Sequence, residues 1–304
     1  MEMKCMTHSK EPTTTQPQNK CSSCSAARAK ENENARENET KDGKGTCPLN
    51  PLPNVYALGQ VEARFPSRSI EKEFAQLVER SQSPNLSDQQ AFYTILSQPQ
   101  NRYLAKKLSW VFSIEGVPIY ILLPGGPGDL TSLLSAVQPS STPLDRTVVI
   151  GRKGPVAPPE MCGLEVPMVL VNQLDRLQYK TFMKSARPRS VSDKKFEVVA
   201  EETFQRMMQI AINTGSTNKH RALNYLAVRC SDIYSLAAEK FERGFTLTSV
   251  EALRSRLSDS RKIVSVVFTF TGGESRIVEK HFVRVDVSDE FPFIVTKMAP
   301  YYDR

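Results

Sequence analysis

Four of the chain's six cysteines fall within its first fifty residues, and two of them, Cys21 and Cys24, form a C-x-x-C pair. Thiolates at that spacing can grip zinc tetrahedrally, with Cys5, His8 and Cys47 as further candidate ligands. A structural zinc site normally shows a second spaced ligand pair, which is missing here. No β-α-β pattern surrounds the pair to suggest a thioredoxin-like centre. The expected state is reduced thiols in an unstructured segment, with a metal site on Cys21, Cys24 and Cys47 or redox chemistry as alternatives.

Nucleophilic catalysis needs a Ser or Cys beside a positioned base, and only three histidines are present. His8 lies in the tail, His220 in the first turn of an expected helix, and His281 in an expected strand, part-buried and hydrogen-bonded. Cys230 falls on a buried helical stripe, where packing is its natural role. Cys162 lies in a proline-rich loop beside Glu160, so Cys162 and Glu160 are the candidates for catalysis, with Glu115 and Arg102 as possible companions. The glycines of the 123–129 stretch resemble a phosphate loop only superficially. They lack the terminal Gly-Lys-Ser/Thr of that loop, and Asp129 would repel a phosphate. A strand-to-helix turn is the better reading.

These groups must be positioned by elements that the spacing of apolar residues predicts. Residues 1–53 are rich in Lys, Glu, Asn, Ser, Thr and Gln and almost empty of large apolar side chains, so burial cannot offset chain entropy and a disordered tail and linker are expected. Folded sequence begins at Val55. Helical spacing follows in Ser67 to Arg80, and Ser87 with Gln90 makes a capping box before a second helix. Leu108 to Ile114 and Val117 to Leu123 alternate in period two around Glu115-Gly116 and read as a hairpin. Asp129 caps a short helix, and strands are expected over Thr147 to Gly151 and Val166 to Val171.

A polar, proline-containing stretch from Ser185 to Lys194 marks a boundary between two lobes, 54–185 and 190–304. Beyond it come a helix burying Phe196, Val199, Ala200, Phe204, Met207 and Ala211, and a second, capped by Thr217, running to Phe241. A hairpin joins 262–271 to 276–287 through Gly272-Gly273. A last strand over about 291–298 is apolar on both faces and is expected to be covered on both. Each lobe thus carries helices and then antiparallel strands, which argues α+β rather than a doubly wound parallel sheet.

The net charge is +7, from 40 Lys and Arg against 33 Asp and Glu. The cations are scattered in pairs such as Lys106-Lys107, which excludes the clustered stripe of a nucleic-acid footprint. No apolar run reaches the ~18 residues of a membrane span, and the start lacks a signal-peptide core. A cytoplasmic protein is expected.

Several phrases together resemble a known family. They are Val55-Tyr56-Ala57-Leu58-Gly59-Gln60, Gln100-Asn101-Arg102-Tyr103-Leu104-Ala105, Val149-Ile150-Gly151, the stretch from Gly154 to Cys162, the stretch from His220 to Arg229, and the ending from Phe291 to Arg304. They are similar to the paired C-terminal domains of PatG-family proteins of cyanobactin maturation, over about 54–304. Full-length members carry a subtilisin-like protease ahead of this region, and its Asp, His and Ser signatures are absent here. The resemblance therefore implies pathway membership without proteolysis. It implies no cofactor and carries over no catalytic residue.

The leading expectation is an accessory module that binds a precursor peptide, or a maturation protease or modifying enzyme, with sheet edges that can accept an extended peptide. The alternative is an enzyme with a cleft around Glu115, Glu160 and Cys162.

Overall fold

The computed structural model describes residues 52–80, 88–209, 213–256, 260–273 and 277–302. The tail with Cys5, His8, Cys21, Cys24 and Cys47 lies outside the described residues, as do Ser87, Ala211 and most of the turn after Gly273.

Strand β1 (Asn54–Arg64) alternates as its sequence dictates, with Val55, Ala57, Val61 and Ala63 facing one way and Tyr56 and Leu58 the other. Helices α1 (Arg68–Arg80), α2 (Asp88–Leu96) and α3 (Arg102–Ala105) precede the hairpin of β2 (Ser109–Ile114) and β3 (Val117–Pro124). Glu115 and Gly116 turn that hairpin with φ of 52° and 79°, as a two-residue loop between right-twisted strands requires. Next come α4 (Pro127–Ala136), β4 (Arg146–Val156) and β5 (Pro167–Leu177). Asp129 serves α4 from inside its first turn, accepting the Gly126 N–H at 2.7 Å.

The five strands close into a barrel in the order β1-β2-β3-β5-β4. Antiparallel pairing was expected throughout, but β3 and β5 run parallel, with Ile121 opposite Met168. A ring with an odd number of strands cannot alternate direction all the way round, so closure forces one parallel pair. This order, with a helix between the third and fourth strands, is that of the five-stranded Greek-key barrels known as OB-folds.

The remainder comprises α5 (Tyr179–Ala186), α6 (Asp193–Met208), α7 (Asn218–Arg229), α8 (Ser231–Glu242) and the antiparallel sheet β6 (Phe245–Arg254), β7 (Ile263–Gly272), β8 (Val278–Asp286) and β9 (Phe293–Pro300). Thr217 caps α7 by accepting the His220 N–H at 3.2 Å. The single long helix expected after it is two. The chain breaks at Cys230, whose φ of −112° and ψ of 89° are not helical. The turn is held by the Tyr234 hydroxyl, which donates to the Ala227 carbonyl at 2.6 Å.

Three apolar clusters share out the barrel. Its interior, with Trp110, Phe112, Tyr120 and Leu122, is plugged by side chains of α1 to α4. The outer face of β1 and β4 (Tyr56, Leu58, Val148 and Ile150) joins α5 to α8 and the inner face of the second sheet in one continuous core. The outer face of β2 and β3 (Val111 and Ile121) is covered by the β4–β5 loop through Ala157, Met161 and Leu164.

The β1 backbone is joined to the segment ahead of α7. The Tyr56 N–H donates to the Gly215 carbonyl at 2.9 Å, the Asn224 amide donates to the Tyr56 carbonyl at 2.8 Å, and the Tyr120 hydroxyl donates to the Thr214 carbonyl at 2.9 Å. Gly215 holds φ of +75°, and a Cβ there would collide with the β1 backbone at Ala57.

Candidate functional site

The sequence from Thr142 to Asp145 ends a loop with a buried carboxylate. Asp145, 3% exposed, accepts from the Ser141 N–H and hydroxyl with one oxygen and from the Tyr179 N–H at 3.0 Å with the other. A carboxylate on the free N–H groups of a helix start is favourable, and here it fixes where α5 begins. Helices α5 and α6 both pack on α8, and a cavity of about 580 Å³ is lined by both of them and by the 142–144 loop. That is the size of a small-molecule site.

Its lining follows from the two helical faces. Leu144, Tyr179, Met183 and Phe196 supply an apolar floor. On the exposed rims, α5 contributes Lys180 and Lys184, whereas α6 contributes Glu197 and Glu201. The Arg187–Asp193 ion pair, at 2.6 Å, stands where the two helices connect. The Tyr179 ring lies edge-on to Phe204 at 5.4 Å, and its hydroxyl is buried without a hydrogen-bond partner among the described residues. Burial, and then the Glu201 and Glu197 carboxylates, push that phenol above its ordinary pKa and keep it neutral. The groove therefore offers an apolar bed between a cationic and an anionic rim.

The residues singled out from sequence acquire different neighbours. Glu115 sits on the β2–β3 turn and lines a small cleft with Arg146. Arg102 reaches Thr131 of α4 at 3.4 Å. Glu160 is exposed on the β4–β5 loop, two residues from Cys162. Cys162 itself has φ of 61° and donates its thiol to the Phe65 carbonyl at 3.4 Å. That loop is a packed strap over Val111 and Ile121, and Cys162 helps to fasten it. Among the described residues no cluster of His, Cys, Asp and Glu could hold a metal ion, and no helix is long and apolar enough to cross a membrane.

The groove was not read from the sequence because no element was assigned between Val171 and Ser185, where most of α5 lies. The signal was present: Tyr179, Met183 and Ala186 recur at helical spacing and are buried.

A family model described as PatG Domain matches residues 54–244, and one described as PatG C-terminal matches 190–301. No curated protein matches the chain. Among solved structures, one titled PatG Domain of Unknown Function is similar at 22% identity with a TM-score of 0.68, over 82% of this chain and 99% of that one. The matched span takes in the barrel, the helical layer and the groove between α5 and α6, and on that ground the chain belongs to the PatG domain family.

Proposed function

We propose that this chain is an accessory binding module of cyanobactin-like ribosomal peptide biosynthesis, and that the α5–α6 groove receives a segment of a precursor peptide. The cytoplasm, where precursors are made, is the expected setting. The carrying observation is the roughly 580 Å³ groove, with an apolar floor between rims of opposite charge. An extended peptide presents apolar side chains to such a floor and charged ones to the rims. The separate surroundings of Glu115, Arg102 and Cys162 favour binding over catalysis, because a catalytic set has to converge on one reacting atom.

The test is a titration of a fluorescein-labelled cyanobactin precursor peptide followed by polarisation. Saturable micromolar binding is expected, at least tenfold weaker in the Glu197→Lys/Glu201→Lys variant. These side chains are exposed, so the variant should fold. Absence of binding, or binding unaffected by that double substitution, would reject the groove. Chemical conversion of the peptide abolished by Cys162→Ala would favour the enzyme reading instead.

A further inference from the structure

The outer face of the second sheet is divided along its length, and the strand register shows how. Helices α6 to α8 cover the inner face through Val266, Phe268, Phe270 and Val283. On the outer face, one end carries a row of Ser249, Thr269 and Lys280, followed by a row of Thr246, Thr271 and the exposed Val278. That is an ordinary solvated face. At the other end, the buried Ile263 and the exposed Phe293 flank Asp286, the next row carries Leu253, Ser265, Arg284 and Thr296, and the third carries Glu251, the buried Val267 and Phe282, whose ring meets Tyr301 edge-on. Leu253 is 41% exposed and Phe293 45% exposed. The last strand was expected to be covered on both faces. Ile294 and Met298 pack against the core, whereas Phe293 and Val295 stay exposed.

Two guanidinium groups lie on this patch. Arg261 stands 5.4 Å over the Phe293 ring and is neutralised by Asp286. Arg284 stands 4.7 Å over the Phe282 ring. Arg284 has no ion pair among the described residues, and its Nε is buried without a hydrogen-bond partner. The neighbouring Glu251, at the β6 margin, accepts from the Ser249 hydroxyl at 3.2 Å.

We propose, beyond the groove reading, that these three rows seat an amphipathic helix of a partner protein. Its apolar stripe would lie on Leu253, Phe282 and Phe293, with a carboxylate meeting Arg284. The dimensions agree. Rows ~7 Å apart and strands ~4.8 Å apart give a patch roughly 14 Å square, which about three turns of a helix ~10 Å wide would cover. The charge agrees as well. Arg284, without an ion pair among the described residues, calls for a carboxylate, whereas a nucleic acid or an anionic membrane calls for a cationic stripe.

The experiment uses the full chain and two labelled 18-residue synthetic helices with the same Leu/Phe stripe, one bordered by Glu and the other by Lys. The Glu helix should bind saturably and protect β8 and β9 from hydrogen exchange. Arg284→Glu should weaken it at least tenfold and strengthen the Lys helix, and Phe293→Ser should weaken it about fivefold. The Glu197→Lys/Glu201→Lys groove variant should leave it unchanged, which separates this surface from the groove. Thermal melts confirm folding, and Arg284→Gln replaces Arg284→Glu if the latter does not fold. The proposal is overturned if neither helix binds, if both bind equally, if protection falls elsewhere, or if a 20-nucleotide oligouridylate or phosphatidylglycerol vesicles bind in an Arg284-dependent way instead.

Discussion

The side-chain amide of Asn224 donates to the carbonyl of Tyr56 at 2.8 Å, across 168 residues of chain. Asn224 is 0% exposed and also exchanges amide hydrogen bonds with Asn213 at 2.6 and 3.1 Å. Removing it leaves a buried backbone acceptor unsatisfied, which costs ~1–3 kcal/mol. Asn224→Ala should therefore lower the urea midpoint without changing the slope of the transition.

Gly215 and Gly116 form a matched pair for separating strain from collision. Both have positive φ, 75° and 79°, but a Cβ on Gly116 meets nothing within 4 Å, whereas one on Gly215 meets the β1 backbone. Gly116→Ala should cost only the conformational strain, ~1–3 kcal/mol. Gly215→Ala should add an overpacking cost of ~1–3 kcal/mol. Comparable midpoints in denaturant melts of the two variants would contradict this.

Lys240 and Glu279 form an ion pair whose lysine is 9% exposed and whose carboxylate is 38% exposed. The hydrogen bond from Lys240 holds the Glu279 carboxyl below its ordinary pKa. A depressed folded pKa gives stability that is present above the unfolded value and lost as pH falls through the folded one. Glu279→Gln should accordingly flatten the acid limb of stability below about pH 4.5. It should also cost more than Lys240→Met, because it leaves a buried ammonium unanswered while the methionine replaces it. Melts at pH 3 and pH 7 decide both points.

Cys162 and Cys230 should differ sharply in reactivity. Burial first, and then Asp232, push the Cys230 thiol up to about 11. A thiol raised in the folded state adds stability below its unfolded pKa and loses it as pH rises through the folded one. Stability should therefore fall between about pH 9 and 11, and fall less in Cys230→Ala, where only the raised phenols of residues such as Tyr56 and Tyr179 still contribute. At pH 8, iodoacetamide followed by peptide mass spectrometry should label Cys162, which is part-exposed, well before Cys230.

Local periodicity made much of this fold legible. The hairpin at Glu115-Gly116, the Thr217 cap and the α6 stripe follow from neighbours in sequence, and α+β follows from their order. What stayed hidden depends on distant partners. Strand β6 was not expected, because its alternation slips at the bulge between Leu247 and Ser249. The break at Cys230 interrupts a pattern that continues at helical spacing on either side. Barrel closure is a property of five strands together and has no local signature. Arg221 belongs here too. In sequence it was one cation beside His220, yet it is 3% exposed and donates to the carbonyls of Val287 at 2.7 Å and Glu290 at 3.0 Å. Burial pushes its guanidinium down to about 10, against the pull of Glu290 and Asp289. Only the structure shows why it is wanted.

The link between β1 and α7 bears on how the protein is made. All five barrel strands lie before residue 178 and can pair while the rest is still being synthesised. The cover of the outer face of β1 and β4 is completed only when α7 arrives, with Asn224. At ~5–20 residues per second, Tyr56, Leu58, Val148 and Ile150 stay incompletely covered for seconds on a closed but half-dressed barrel. That interval is when the nascent chain is most open to chaperones and to self-association. A ribosome pause between α5 and α7 would lengthen it, so codon choice in that stretch should affect soluble yield more than codon choice after β7.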